Sequence, residues 1–239
     1  MKGKITKRNW LSIVLLVIVI PAVLYLCRRL GNRYYYIASL VIMLLTTVPF
    51  ILSFERRRPQ ARELVIIAVM SALAVASRAA FIWIPNFKPI CAIVMIAGIA
   101  LGAESGFVVG AVSAFVSNFI FGQGPWTPWQ MFAYGMAGFL AGLAYRLHII
   151  DRNRFKLCAF GFLCIVCIIG PILDLCAIFT MASTINVESW GAIFLSGLPV
   201  NVIHGIAVSL TMLLFANPLL DKLDRVRVKY GMLEEENAL

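Results

Sequence analysis

Long apolar blocks are the feature that most constrains how this chain can fold. Of its 239 residues, 62% are hydrophobic and only 13% are charged. A helix that crosses a membrane needs about 20 mainly apolar residues. The sequence therefore predicts an all-α polytopic membrane protein. Eight blocks approach or exceed this length, at residues 10–27, 34–54, 62–84, 88–102, 105–121, 129–147, 156–181 and 190–216.

The basic residues are grouped in a way that predicts topology. The net charge is +10, but four clusters with four Lys or Arg each account for most of the cations. With eight helices all four clusters fall on one side, as cytoplasmic segments of membrane proteins do. We therefore expect a cell (plasma) membrane protein with both termini in the cytoplasm and no nucleic-acid partner. The clusters lie at residues 2–8, 56–62, 146–156 and 222–229.

A charged segment at residues 55–61 predicts a boundary, because its arginines and Pro59 end a helix. We expect residues 1–60 to form a transmembrane hairpin of two helices with basic flanks. Residues 61–220 would form a membrane domain of six helices. Residues 221–239 would form a charged cytoplasmic tail.

The first helix of the six has two different faces. Alanine recurs at every fourth position, which makes a stripe of small side chains where another backbone can approach closely. This stripe either packs within the protein or docks a partner subunit. Arg78 points roughly 140° away from the stripe. The stripe consists of Ala68, Ala72, Ala76 and Ala80.

Arg78 and Asp174 are charged residues inside apolar blocks. Such residues are costly in a membrane and are usually functional. Arg78 either faces the protein interior or snorkels to the outer interface. Helix rise places Asp174 at a similar depth, and pairing would lower the cost of burying both charges. We therefore expect an Arg78–Asp174 ion pair or a polar site shared by the two residues in the outer half of the protein.

Residues 118–130 are the most distinctive segment, with two glycines, two prolines, two tryptophans and no charge. Trp126 and Trp129 offer flat apolar faces with one hydrogen-bond donor each. They either belong to an interfacial belt or line an outward-facing pocket. Asn86 and Phe87 lie in a second external loop. Two such loops are typical of a lid over a site for a flat, mostly apolar small molecule.

Several motifs are absent from the sequence. There is no P-loop for ATP, and no H-E-x-x-H or G-x-S-x-G motif. A secondary transporter driven by an ion gradient would be expected to show paired carboxylates and repeat symmetry. A membrane enzyme or assembly factor would need a catalytic set. Neither pattern is visible, so both alternatives have weak support.

The six-helix part resembles the substrate-binding S component of energy-coupling factor (ECF) vitamin transporters. The resemblance rests on the six-helix size, on the spacing of Ala68, Ala72 and Ala76, and on residues 121–142. The Gly-Pro-Trp-Thr-Pro-Trp sequence in that run is similar to cobalamin-type S components. The resemblance covers residues 61 to about 220, and the first two predicted helices depart from the six-helix pattern.

The resemblance implies a vitamin-binding subunit, not an enzyme, with no intrinsic cofactor. The ligand would be cobalamin or a related corrinoid, with another vitamin as the alternative. Its partners would be a transmembrane coupling subunit (T), which docks on the alanine stripe, and two ATPase subunits (A and A'). By the same analogy, the ligand site comprises Arg78, Asn86, Phe87, Asn118, Gln123, Trp126, Trp129 and Asp174.

Overall fold

The computed structural model describes residues 35–56, 59–181 and 187–231. The predicted first apolar block, residues 10–27, lies outside the described residues. Within them the chain forms α-helices, one π-helical turn at Ile165–Ile169 and no strand. The α-helices are α1 (Tyr35–Arg56), α2 (Ala61–Ala80), α3 (Ile90–Leu101), α4 (Ala103–Phe121), α5 (Thr127–Arg146), α6 (Arg154–Cys164), α7 (Gly170–Met181) and α8 (Val187–Lys229).

The helices confirm an all-α polytopic membrane protein. Four described segments are long and apolar enough to cross a membrane, namely Ala61–Ala80, Ala103–Phe121, Arg154–Thr180 and Trp190–Lys229. The π-helical turn joins α6 to α7, so the predicted block at residues 156–181 is one nearly continuous helix. The last helix is longer than the predicted block at 190–216, because it continues past Pro218 as far as Lys229.

Helix α3 is the centre of the bundle, and all 12 of its residues are buried. It reverses into α4 at Gly102, whose φ of 96° lies in the left-handed region that favours glycine. Close approach also requires Gly106, where an added Cβ would lie 2.5 Å from Cα of Gly98 and 2.8 Å from the carbonyl oxygen of Gly138. Helices α3, α4 and α5 therefore touch backbone to backbone.

Helix α1 packs against the other helices through aromatic rings. The Phe50 ring stacks on Phe107 of α4 with centroids 4.2 Å apart. The same ring meets Phe139 of α5 edge-on at 5.0 Å. The second helix of the predicted N-terminal hairpin thus contributes to the core of the protein.

The bundle has two chemically different ends. The loop end carries the connections at residues 81–89 and 122–126. The basic end carries the connection at residues 147–153 and the last turns of α8. At the basic end Arg152 donates to Asp221 at 3.1 Å and also pairs with Asp224. Hydrogen bonds from Lys156 and from the amide of Asn153 lower the pKa of Asp151 there.

Candidate functional site

The two faces of α2 have different environments. All four alanines of the stripe are exposed on the surface of the chain. On the opposite face Met70, Ser71, Ala74 and Arg78 are buried. Arg78 is only 4% exposed, so it faces the protein interior and does not snorkel to a membrane interface.

Arg78 is held by neutral groups of α4. Its Nη1 donates to Oγ of Ser117 at 2.5 Å and to Oδ1 of Asn118 at 3.0 Å. The guanidinium carbon lies 4.2 Å from the centre of the Phe121 ring, and an aromatic face attracts a cation. Nε of Arg78 is buried and has no hydrogen-bond partner. The charge is therefore solvated by the protein but not neutralised by these contacts.

The hydrogen bonds continue from Arg78 to the connection between α4 and α5. Nδ2 of Asn118 donates to Oγ1 of Thr127 at 3.1 Å and to Oε1 of Gln130 at 2.9 Å. Oγ1 of Thr127 donates to Oε1 of Gln123 at 2.9 Å, and Nε2 of Gln123 donates to the carbonyl of Phe115 at 3.0 Å. We call these side chains the Arg78 network; its members are Arg78, Ser117, Asn118, Gln123, Thr127 and Gln130.

A second polar group lies close to the Arg78 network. Tyr134 of α5 and His204 of α8 are almost fully buried, and their rings meet edge-on with centroids 6.3 Å apart. His204 contacts the backbone of Lys88 and lies within electrostatic range of both Lys88 and Arg78. Burial and the nearby Arg78 guanidinium lower the pKa of Lys88. Helices α2, α4, α5 and α8 thus bring polar groups together at the loop end.

The predicted ion pair between Arg78 and Asp174 is wrong. No nitrogen of Arg78 lies within 4.0 Å of an acidic oxygen in the described part of the chain. Asp174 instead accepts a hydrogen bond from Nδ2 of Asn201 at 2.9 Å. It packs on Gly197, where an added Cβ would lie 2.7 Å from the Asp174 carboxyl carbon. Helix rise gives the depth of a residue, but the direction in which α7 turns Asp174 depends on packing against α8.

The predicted aromatic residues do not form one wall. Trp129 is buried and stacks on Phe179 at 5.9 Å, with no hydrogen-bond partner for its Nε1. Trp126 is 40% exposed, and its Nε1 donates to the carbonyl of Gly122 at 3.3 Å. Trp126 therefore lies at the rim of the loop end.

Phe87 and Asn86 take no part in the hydrogen bonds of the Arg78 network. The Phe87 ring lies 5.0 Å from that of Phe81 and lines a lateral apolar groove of about 440 Å³. This groove runs between α2, α3 and α8, and no alanine of the stripe lines it. Asn86 has a φ of 62° and turns the connection between α2 and α3. Of the eight predicted ligand residues, the structure brings only Arg78, Asn118 and Gln123 into one network.

Sequence reasoning missed several polar residues at the loop end. Thr127 and Gln130 fall in the distinctive segment at residues 118–130, and their polarity beside two tryptophans was an available signal. His204 was visible as a membrane histidine one helical turn after Asn201. Nothing in the spacing of Lys88 or Tyr134 indicates that they approach it, because that proximity depends on how α5 and α8 pack.

Comparison with known proteins decides the family. The sequence model of a family described as "ECF-type riboflavin transporter, S component" matches residues 59–221. The chain belongs to this family. It is also similar to two proteins named UPF0397 protein from Clostridium perfringens. One, from strain SM101 / Type A, is 26% identical over 155 residues, which is 63% of this chain and 80% of the relative. The other, from strain ATCC 13124, is 28% identical over 159 residues, 64% and 82% of the two chains.

None of the solved structures matches this ECF S component. Membership of the family confirms the predicted class, a substrate-binding subunit of a transporter that is not an enzyme. The family description names riboflavin and gives no support to the cobalamin specificity that the tryptophan-rich run suggested.

Proposed function

We propose that this S component captures a vitamin at the loop end and hands it to an ECF transport complex. The observation that carries the proposal is the division of α2. A buried cation with an unfilled donor, Arg78, lies on one face, and four exposed alanines lie on the other. One face would serve the ligand while the other serves the partner.

The distribution of charge supports one orientation of the protein in the membrane. The basic end holds the cationic clusters at residues 146–156 and 222–229, and such clusters stay in the cytoplasm. The loop end would then face outward, with both termini of the chain inside. Trp126 and the connection at residues 122–126 would form the outer rim of the site. The ligand would enter from outside the cell.

The alanine stripe would dock to the transmembrane coupling subunit. Small exposed side chains let a partner helix approach the backbone of α2, and this close packing favours helix association in lipid. The sequence contains no P-loop, so two partner ATPases would supply the energy. Domain organisation fits this scheme if residues 61–220 form the binding domain and residues 1–60 an additional membrane hairpin.

Two vitamins are candidates for the substrate. Riboflavin comes first, because the family description names it. Cobalamin is the second candidate, because the run at residues 121–142 resembles that of cobalamin-type S components. Both present large flat ring systems, and Trp129 and Tyr134 supply buried aromatic surface beside polar groups.

The test is direct binding to the purified full-length chain. Isothermal titration in detergent with riboflavin and with cobalamin would measure each affinity, and mass spectrometry would identify any vitamin retained through purification. We expect one vitamin to bind. Its affinity should fall tenfold or more in the Asn118→Leu variant. Leu163→Ala, on the exposed surface of α6, is the control. A chain that retains only lipid and binds neither vitamin would contradict the proposal for these substrates.

A further inference from the structure

Two cations lie near each other at the loop end, and no acidic side chain of the described residues pairs with either. Arg78 and Lys88 lie within electrostatic range of one another, and Arg78 is 4% exposed. In the described ranges neither side chain has an acidic partner. The buried carboxylate of Asp174 is bound to Asn201 instead. Two like charges in a poorly solvated place repel each other, so their proximity is costly unless something else compensates.

Unfilled hydrogen-bonding atoms accompany these cations. Nε of Arg78 and Nε2 of His204 are buried and have no partner. His204 is 6% exposed and contacts the backbone of Lys88. Buried polar atoms are nearly always paired in folded proteins. The unfilled Nε of Arg78 is a donor within electrostatic range of a second cation, which indicates a place that an acceptor group of a ligand completes.

The chemistry of this group identifies what it can accept. Guanidinium and ammonium groups donate only, and they bind anionic oxygens most strongly. Resting on the function proposed above, we infer that Arg78 and Lys88 form an anion subsite of the ligand site, which selects a vitamin-class compound carrying a phosphate or carboxylate group. The inference is specific, because riboflavin itself is uncharged and would leave the two cations unmatched.

The proposed subsite also separates two roles of Arg78. Its Nη1 is committed to Ser117 and Asn118, which joins α2 to α4. Its Nε remains for a ligand. Lys88 has no such structural bond within the described residues, so Lys88→Gln removes the subsite charge without cutting a contact between helices. Lys88→Gln is therefore the primary variant, and Lys88→Arg tests whether positive charge alone is sufficient.

Matched ligand pairs test the inference on the intact chain. Riboflavin and riboflavin 5'-phosphate differ by one phosphate group, and cobinamide and cobalamin differ by a nucleotide loop that contains a phosphodiester. Titration at constant ionic strength would give the affinity for each. We expect the phosphate-bearing member of the accepted pair to bind at least about tenfold more tightly, as a charge-assisted hydrogen bond implies. Lys88→Gln should remove this preference, Lys88→Arg should keep it, and Lys156→Gln at the basic end should leave it unchanged.

The outcomes separate this inference from the proposed function. Equal binding of both members of a pair would overturn the anion subsite while leaving vitamin binding intact. If neither pair binds, inorganic phosphate provides the deciding measurement through the thermal stability of the detergent-solubilised chain. Stabilisation of the wild type but not of Lys88→Gln would support the subsite even though the vitamin assignment fails. No stabilisation of either protein would overturn both.

Discussion

The two faces of α2 differ in exposure and in chemistry. The exposed face, at Ala68, Ala72, Ala76 and Ala80, is smooth and presents no polar group. The buried face ends in Arg78, which is tied to α4 by hydrogen bonds and a cation–π contact. Burying small residues inside the bundle would be ordinary packing. Four of them are exposed while the same helix buries a charge, and this contrast supports the proposal that a partner chain covers the stripe.

The largest effect is expected from filling the exposed face. Ala72→Trp places a bulky ring where close backbone approach is required, so the complex with the coupling subunit should weaken by about 100-fold or more. Co-purification of the two subunits measures this, and titration measures vitamin affinity, which should stay at the wild-type value. Leu163→Trp, on an exposed part of α6, is the control. Undiminished co-purification of Ala72→Trp would remove the stripe from the docking surface.

Replacing Arg78 on the buried face of α2 should lower both the stability of the protein and its affinity for the vitamin. Arg78→Gln removes charge-assisted hydrogen bonds to Ser117 and Asn118, and the free energy of unfolding should fall by about 2–3 kcal/mol. Vitamin affinity should also fall by tenfold or more, as measured by titration of the folded fraction. Arg225→Gln at the basic end is the matched loss of an arginine and should change neither. A fully stable Arg78→Gln chain would show that the network does not hold α2 to α4.

A pair of identical substitutions compares the two faces directly. Ala74 is completely buried, so Ala74→Leu overpacks the interior and should lower the free energy of unfolding by about 1–3 kcal/mol. Ala76 is exposed, so Ala76→Leu should change the free energy of unfolding by less than about 0.5 kcal/mol. Thermal unfolding of both variants in the same detergent gives the comparison. Equal losses would mean that the stripe is also packed inside the protein.

The smallest expected effect concerns pH. The pKa of Lys88 is lowered by burial and by Arg78, so its positive charge is lost as pH rises through a value below 10.5. Affinity for an anionic vitamin should therefore fall several-fold in that alkaline range. Arg78, Cys91 and His204 face Lys88 from α2, α3 and α8 and are unchanged in Lys88→Arg. The fall should be much smaller in Lys88→Arg, and identical titration curves for the two proteins would contradict this role.

The broad architecture could be predicted from the sequence because lipid imposes strong local rules. Apolar block lengths predicted the described helices, and the alanine spacing predicted which face of α2 carries Arg78. Each of these depends only on helical periodicity and on the length needed to cross a bilayer.

The composition of the site was less predictable because it depends on how helices rotate against each other. The sequence placed Arg78 and Asp174 at similar depths, but α7 turns Asp174 towards Asn201. Trp129 and Phe87 were grouped with Trp126 because all three were expected in external loops. In the structure Trp129 stacks on Phe179, and Phe87 lines the lateral groove. His204 lacked a visible partner in sequence, since Lys88 lies more than a hundred positions away and meets it only in the fold.

The central claim is that one chain both binds a vitamin at the loop end and docks through the exposed face of α2. Its most direct test is vitamin accumulation by proteoliposomes that contain this chain, the coupling subunit and both ATPases. The account predicts accumulation that requires ATP, and its loss in Ala72→Trp even though that variant still binds the vitamin. Accumulation by this chain alone, driven by an ion gradient and unaffected by Ala72→Trp, would contradict it.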